Sequence, residues 1–220
     1  MRQLIKFFII FLIAYGALLF CFYSDAVRIK MNSFYSKTTS SFIKLGLPSA
    51  HIETQNVFLP NRKIDPQKVF LVYGNPETIK REMEEARRNR LSEVKISTKS
   101  THFYFFELFT VPLLFLASLF IATPMKLGQK LLNLIIAMLF MFLYINSKTI
   151  FYALSVISDS TIGIYKLSQS ASSMLTRFIN LTSLGFSITL AFILWLVFGF
   201  RKSEIASFFS SYFDKIIKEN

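Results

Sequence analysis

The chain has 220 residues, 53% of them hydrophobic and 16% aromatic, with 26 Phe, 7 Gly, 6 Pro and one Cys. A mean hydropathy of +0.46 argues against a soluble domain and against disordered or Gly/Pro-rich repeats, and the lone Cys excludes a disulfide framework and any multi-cysteine metal site. The formal charge of +12 suits anionic lipid, an acidic partner or nucleic acid, and composition alone does not choose among them.

A membrane-spanning helix needs about 17–25 mostly apolar residues, because the hydrocarbon core is roughly 30 Å thick and a helix rises about 1.5 Å per residue. Residues 7–23 form the first predicted span, behind Arg2 and Lys6. No small-x-small cleavage site closes this run and bulky Phe20 precedes Cys21, so residues 1–24 read as an uncleaved signal anchor. Residues 25–102 are charge-rich and predict a small α+β domain outside the cytoplasm. Within it, Ala26, Ile29, Ser33 and Ser36, with Phe42, Ile43 and Leu45, predict an amphipathic helix broken near Gly46 and Pro48. Residues 57–59 and 68–73 read as short strands. Asn75-Pro76-Glu77 is a helix start, with an Asn cap, Pro at the first helical position and acid in the first turn. That helix should run to about Arg90, with Glu77, Glu82, Glu84 and Glu85 ahead of Arg87, Arg88 and Arg90. Residues 94–104 predict a strand leading into the next span.

A three-span membrane domain is expected over 103–202. Its spans are 106–123, closed by Pro124, then 131–145, extendable toward Tyr152, and 178–200, flanked by Arg177 and by Arg201 and Lys202. Between the last two, the Ser-rich residues 149–176 suggest an outward helical hairpin or interfacial helix. Residues 203–220 carry Ile205, Phe208, Phe209, Tyr212, Phe213, Ile216 and Ile217 at helical spacings, as in an amphipathic tail on the inner membrane face or docked to a cytoplasmic partner. With four spans, Arg2 and Lys6, then Lys126 and Lys130, then Arg201, Lys202, Lys215 and Lys218 all share one side. The positive-inside rule makes that side the cytoplasm. The expected fold is therefore an α-helical integral membrane protein of four transmembrane helices with a small α+β extracytoplasmic domain between the first two. Its expected location is multi-pass in a bacterial inner membrane, both termini cytoplasmic.

No phosphate-binding loop, dinucleotide fingerprint, HExxH or GxSxG occurs, so nucleotide hydrolysis, hydride transfer, zinc proteolysis and α/β-hydrolase chemistry lack their usual signatures. The candidate catalytic set is Cys21, His102 and Arg177, which the topology brings to the outer leaflet, where imidazole and a cation could activate a thiol. Against it, Cys in an apolar helix is ordinarily structural. Glu107, at the outer end of the second span, is a candidate ion, substrate or partner contact with Arg177 as counter-ion; the plainer reading is a snorkelling interfacial carboxylate. Arg87, Arg88 and Arg90 could meet lipid phosphates or an acidic partner, although such runs are more often a solvated helix face. His51 and His102, without acidic neighbours at ligand spacing, predict no metal site, and no cofactor is expected. The cluster's outward position argues against nucleic acid, leaving membrane lipid and a larger integral membrane complex as expected partners.

The segment FYFFELFTVPLLFLASLFIATP over 103–124, followed by Lys126, Lys130 and another span, resembles exosortase H-associated membrane proteins. The residues that carry the likeness are Pro112, Leu113, Leu114, Ala122, Thr123 and Pro124. The resemblance implies an accessory subunit of an envelope protein-sorting system, distinct from the sorting enzyme, and the missing Cys–Arg–His motifs agree. With spans that carry no catalytic motif, the expected function is a non-catalytic accessory or scaffold subunit of an envelope membrane complex for protein sorting or secretion. The order of spans is also similar to four-span ABC-permease subunits, a likeness of topology alone. A transporter subunit and a membrane thiol enzyme are the alternatives, the latter resting on Cys21.

Overall fold

The computed structural model describes residues 2–90, 96–160, 162–182 and 184–200. In chain order they form α1 (Arg2–Phe22), α2 (Asp25–Gly46), β1 (His51–Phe58), β2 (Ile64–Gly74), α3 (Pro76–Arg88) and β3 (Thr98–Phe103). A π-helical turn (Phe106–Thr110) leads into α4 (Val111–Ala122), followed by α5 (Leu127–Ser158), α6 (Gln169–Leu181) and α7 (Leu184–Phe198). The described residues are mostly helical, with one small sheet among them. The expected tail over 203–220, the basic pair Arg201 and Lys202, and the start of the strand expected over 94–104 lie outside the described residues.

Two described helices, Gln3–Phe22 and Leu127–Ser158, are long and apolar enough to cross a membrane. Gln169–Leu181 and Gly185–Phe198 meet that test only together, as a pair broken between them, and Phe106–Ala122 is a shorter apolar helix. The sequence reading thus matches two unbroken spans. The 106–123 segment is shortened as an α-helix because its first turn is π-helical ahead of Pro112, whose ring cannot follow an ordinary helical turn. The reading of 131–145 falls short instead: α5 continues through Asn146 to Ser158, and its 32 residues cover roughly 48 Å, well beyond a bilayer core.

The chain divides into two compact units. The first comprises residues 1–24, 107–144 and 184–220, and the second 25–106 and 145–183. In the first, α4 packs between α1 and α7. Three residues of α1 four positions apart carry rings toward its neighbours: Phe7 stacks on Trp195 at 5.3 Å, while Phe11 and Tyr15 meet Phe115 edge to face at 5.4 and 5.7 Å. Such pairs contribute about 0.5–1.5 kcal/mol each beyond area burial. Thr123 closes α4: its hydroxyl donates to the Leu119 carbonyl at 2.6 Å and accepts the Trp195 indole N–H at 2.7 Å. The Lys130 ammonium donates to the Ile121 carbonyl at 3.1 Å, satisfying another carbonyl of that helix end. Only 6% of the apolar window of α1 is buried within the chain, so most of its surface is left for lipid or a partner.

The second unit holds an antiparallel sheet in the order β1-β2-β3. Register runs from His51 opposite Gly74 to Asn56 opposite Val69, and from Val69 opposite Phe103 to Gly74 opposite Thr98. Period-two alternation sends Ile52, Val69, Leu71, Tyr73 and Phe103 to the buried face. Beyond Asn56 the register shifts, and β2 bulges around Asp65, whose carboxylate accepts the Gln67 N–H at 2.7 Å. Both strands are longer than the expected 57–59 and 68–73 segments.

The helix α2 packs on β1 and β2. It ends at Gly46 as expected, and the expected face is met only in part, at Ser36 and Ile43, with Ile29 and Phe42 half-buried. Arg28, Asn32, Tyr35, Ser36, Thr39 and Ile43 are buried, whereas Ala26, Ser33 and Leu45 are exposed. The sheet side supplies partners that make polar burial tolerable: the Asn32 amide donates to the Pro66 carbonyl at 2.8 Å, and the Arg28 guanidinium lies 4.3 Å from the Phe106 ring centre. Residues of α5 beyond Tyr144 complete this core, with Tyr152 edge-on to Phe103 at 5.2 Å and Phe151 against Phe178 of α6 at 5.0 Å. At Gly46 a Cβ would come within 2.7 Å of an Ile150 methyl, so the close approach of α2 and α5 needs glycine there.

Candidate functional site

An open surface of the second unit runs along α3. Asn75 caps this helix, its side-chain oxygen accepting the Glu77 N–H at 3.0 Å, and Pro76 occupies the first turn. Ile79 and Ala86 face inward. Glu82 reaches to the segment before β3, where its carboxylate accepts the Ser97 N–H at 2.7 Å and also the Ser97 hydroxyl. The hydroxyl and backbone hydrogen bonds from Ser97, and then the nearby Arg81 charge, hold the Glu82 carboxyl below its ordinary value. This clasp fixes α3 relative to the sheet strand that follows it.

Against this helix lies an open groove of about 390 Å³, lined by Pro76, Ile79, Lys80, Met83, Glu84 and Arg87 of α3 and by His51 at the start of β1. Ile79, Met83 and Arg87 recur at four-residue spacing, one stripe of a helix. His51 lies 3.3 Å from Glu53 through its Nε2. The lining therefore combines an apolar floor with Lys80 and Arg87 against a single carboxylate, Glu84, an arrangement suited to an apolar side chain flanked by acidic or carbonyl groups. The sequence offered a signal for this groove in the strongly amphipathic pattern of α3, but attention to its charges alone misses Ile79 and Met83.

The residues singled out from the sequence fall as follows. Arg87, Arg88 and Arg90 are exposed, and of these only Arg87 lines the groove. Arg90 takes a positive φ of 50° just past the helix. Cys21 is exposed near the end of α1 in the first unit, whereas His102 and Arg177 belong to the second, so the candidate catalytic set is divided between units. His102, on β3, rests against the Phe70 ring at 4.5 Å, and among the described residues no hydrogen bond or ion pair joins it to Arg177, which is exposed on α6. Glu107 is exposed within the π-helical turn, in the first unit. Among the described residues no three His, Cys, Asp or Glu side chains are gathered as a metal would require. No family model, curated protein or solved structure matches this chain.

Proposed function

We propose that the chain is a non-catalytic accessory or scaffold subunit of a bacterial envelope membrane complex, whose second unit binds a partner outside the cytoplasm through the groove along α3. The observation that carries this reading is the pairing of apolar helices of membrane length with a unit that carries an open groove of mixed apolar and basic lining. Four crossings of an inner membrane with both termini cytoplasmic complete the proposal. It is supported by the meeting of the start of α1, the end of α4 and the end of α7 at one end of the first unit, where Lys6, Lys126 and Lys130 also lie in the chain. The resemblance of the segment around Pro112–Pro124 to exosortase H-associated proteins makes protein sorting the first system to test.

Purification from native membranes in mild detergent, with mass spectrometry of stoichiometric companions, tests the reading. A multi-span enzyme or secretion component that is lost on Met83→Asp, with the variant still membrane-inserted, is the expected result; a chain that purifies alone refutes it. Reporter fusions after Lys99 and at Asn220 should report opposite sides. One observation favours a second reading, a transporter subunit: the exposed Glu107 sits in a π-helical turn, a geometry that recurs at functional sites. Loss of flux in Glu107→Gln with folding intact would decide for it.

A further inference from the structure

In the first unit α1, α4 and α7 leave a slot of about 210 Å³ between them at the end where α1 begins and α4 and α7 finish. Its walls are entirely apolar, chiefly Phe7, Phe8 and Phe11 of α1, Phe115 of α4, and Phe192 and Trp195 of α7. Such a lining offers a polar ligand nothing in exchange for its hydration, and the volume is below the roughly 300–1,000 Å³ of pockets for drug-sized molecules. A stretch of a single hydrocarbon chain fits both constraints. The one polar atom nearby, the indole N–H of Trp195, is already engaged by the Thr123 hydroxyl, so the ring presents only carbon to the slot.

Two cations lie close in the chain to residues of the slot. Lys6 directly precedes Phe7, and Lys126 follows Thr123, the partner of Trp195, by three residues; both are exposed, and among the described residues neither meets a carboxylate. We propose that this slot holds one acyl chain of an anionic phospholipid whose phosphate headgroup is met by Lys6 and Lys126. The proposal rests on the reading that the first unit lies in a membrane with this end at the cytoplasmic surface.

Trp195 is the only tryptophan beside 9 Tyr, so fluorescence excited at the red edge, where tyrosine does not absorb, reports on the slot. The full chain is reconstituted in phosphatidylcholine nanodiscs containing either chain-brominated phosphatidylglycerol or chain-brominated phosphatidylcholine, and Trp195 quenching is followed against mole fraction. Brominated phosphatidylglycerol should quench at the lower mole fraction, and Lys6→Gln and Lys126→Gln should each reduce that preference by about 5-fold, the effect of one basic residue near an anionic surface. Leu119→Trp, which fills the slot while leaving both lysines, should abolish the preference in binding of radiolabelled phosphatidylglycerol. Equal quenching by the two lipids overturns the headgroup assignment. Absence of quenching overturns the slot: if the chain then still resists alkaline carbonate extraction, the membrane reading survives, and if carbonate releases it, that reading falls too.

Discussion

The Glu82 carboxylate and Ser97 form a clasp whose strength depends on charge. Because hydrogen bonding to Ser97 lowers the folded-state pKa below the ordinary 4.5, the clasp's contribution is complete above the unfolded value and is lost as pH falls through the folded one. A carbon-13 titration should therefore find the Glu82 midpoint below 4.5, and Ser97→Ala should move it upward. Protection of the Ser97 amide from exchange, relative to its intrinsic rate, should fall over the same acidic window and lose that pH dependence in Glu82→Gln. At this scale the sequence was legible where the chemistry is local. Asn75, Pro76 and Glu77 announce a helix start by themselves, since the cap, the ring and the acid act within one turn. The Ser97 clasp was not legible, because it joins residues 15 positions apart that belong to different predicted elements, and no pairing rule links a helix side chain to a particular backbone amide that far along the chain.

Among elements, α5 shows why periodicity can hide a buried face. Ala137, Met141, Ile145, Thr149, Ala153 and Ile157 are all buried and recur every four residues. A step of four advances about 40° beyond a full turn, so the face winds around the helix and no fixed stripe of hydrophobicity marks it. Ala137 and Ala153 consequently lie on nearly opposite sides of α5 yet are both fully buried. Ala137→Phe and Ala153→Phe should each cost about 1–3 kcal/mol by overpacking, while Leu143→Phe, at a half-exposed position, should leave thermal unfolding in detergent nearly unchanged. The helix α2 was legible in extent and misleading in orientation for a different reason. A hydrophobicity pattern finds the apolar side of a helix, and here the side that meets the sheet carries Arg28, Asn32, Ser36 and Thr39.

For the whole molecule, the division into units cuts across the order of the chain, because the second unit combines residues 25–106 with 145–183. A sequence reading that divides a chain into consecutive blocks does not reveal such an arrangement, since the two segments share no motif and only their packing unites them. A fragment limited to residues 25–106 lacks Ile145, Ala153 and Ile157, which are all fully buried in the intact chain. It should show no cooperative thermal transition by circular dichroism, whereas joining it to 145–183 through a flexible linker should restore one. The same discontinuity sets a schedule for synthesis. Ile145 follows Phe106 by 39 positions, and translation at roughly 5–20 residues per second delays the second segment by about 2–8 s. During that interval α2 and the strands must wait without their cover. What stays open is the ground that α5 takes up, Gly46 at the end of α2 and Phe103 at the end of β3, whereas the polar side of α2 with Arg28, Asn32, Ser36 and Thr39 already has the sheet of its own segment to pack against.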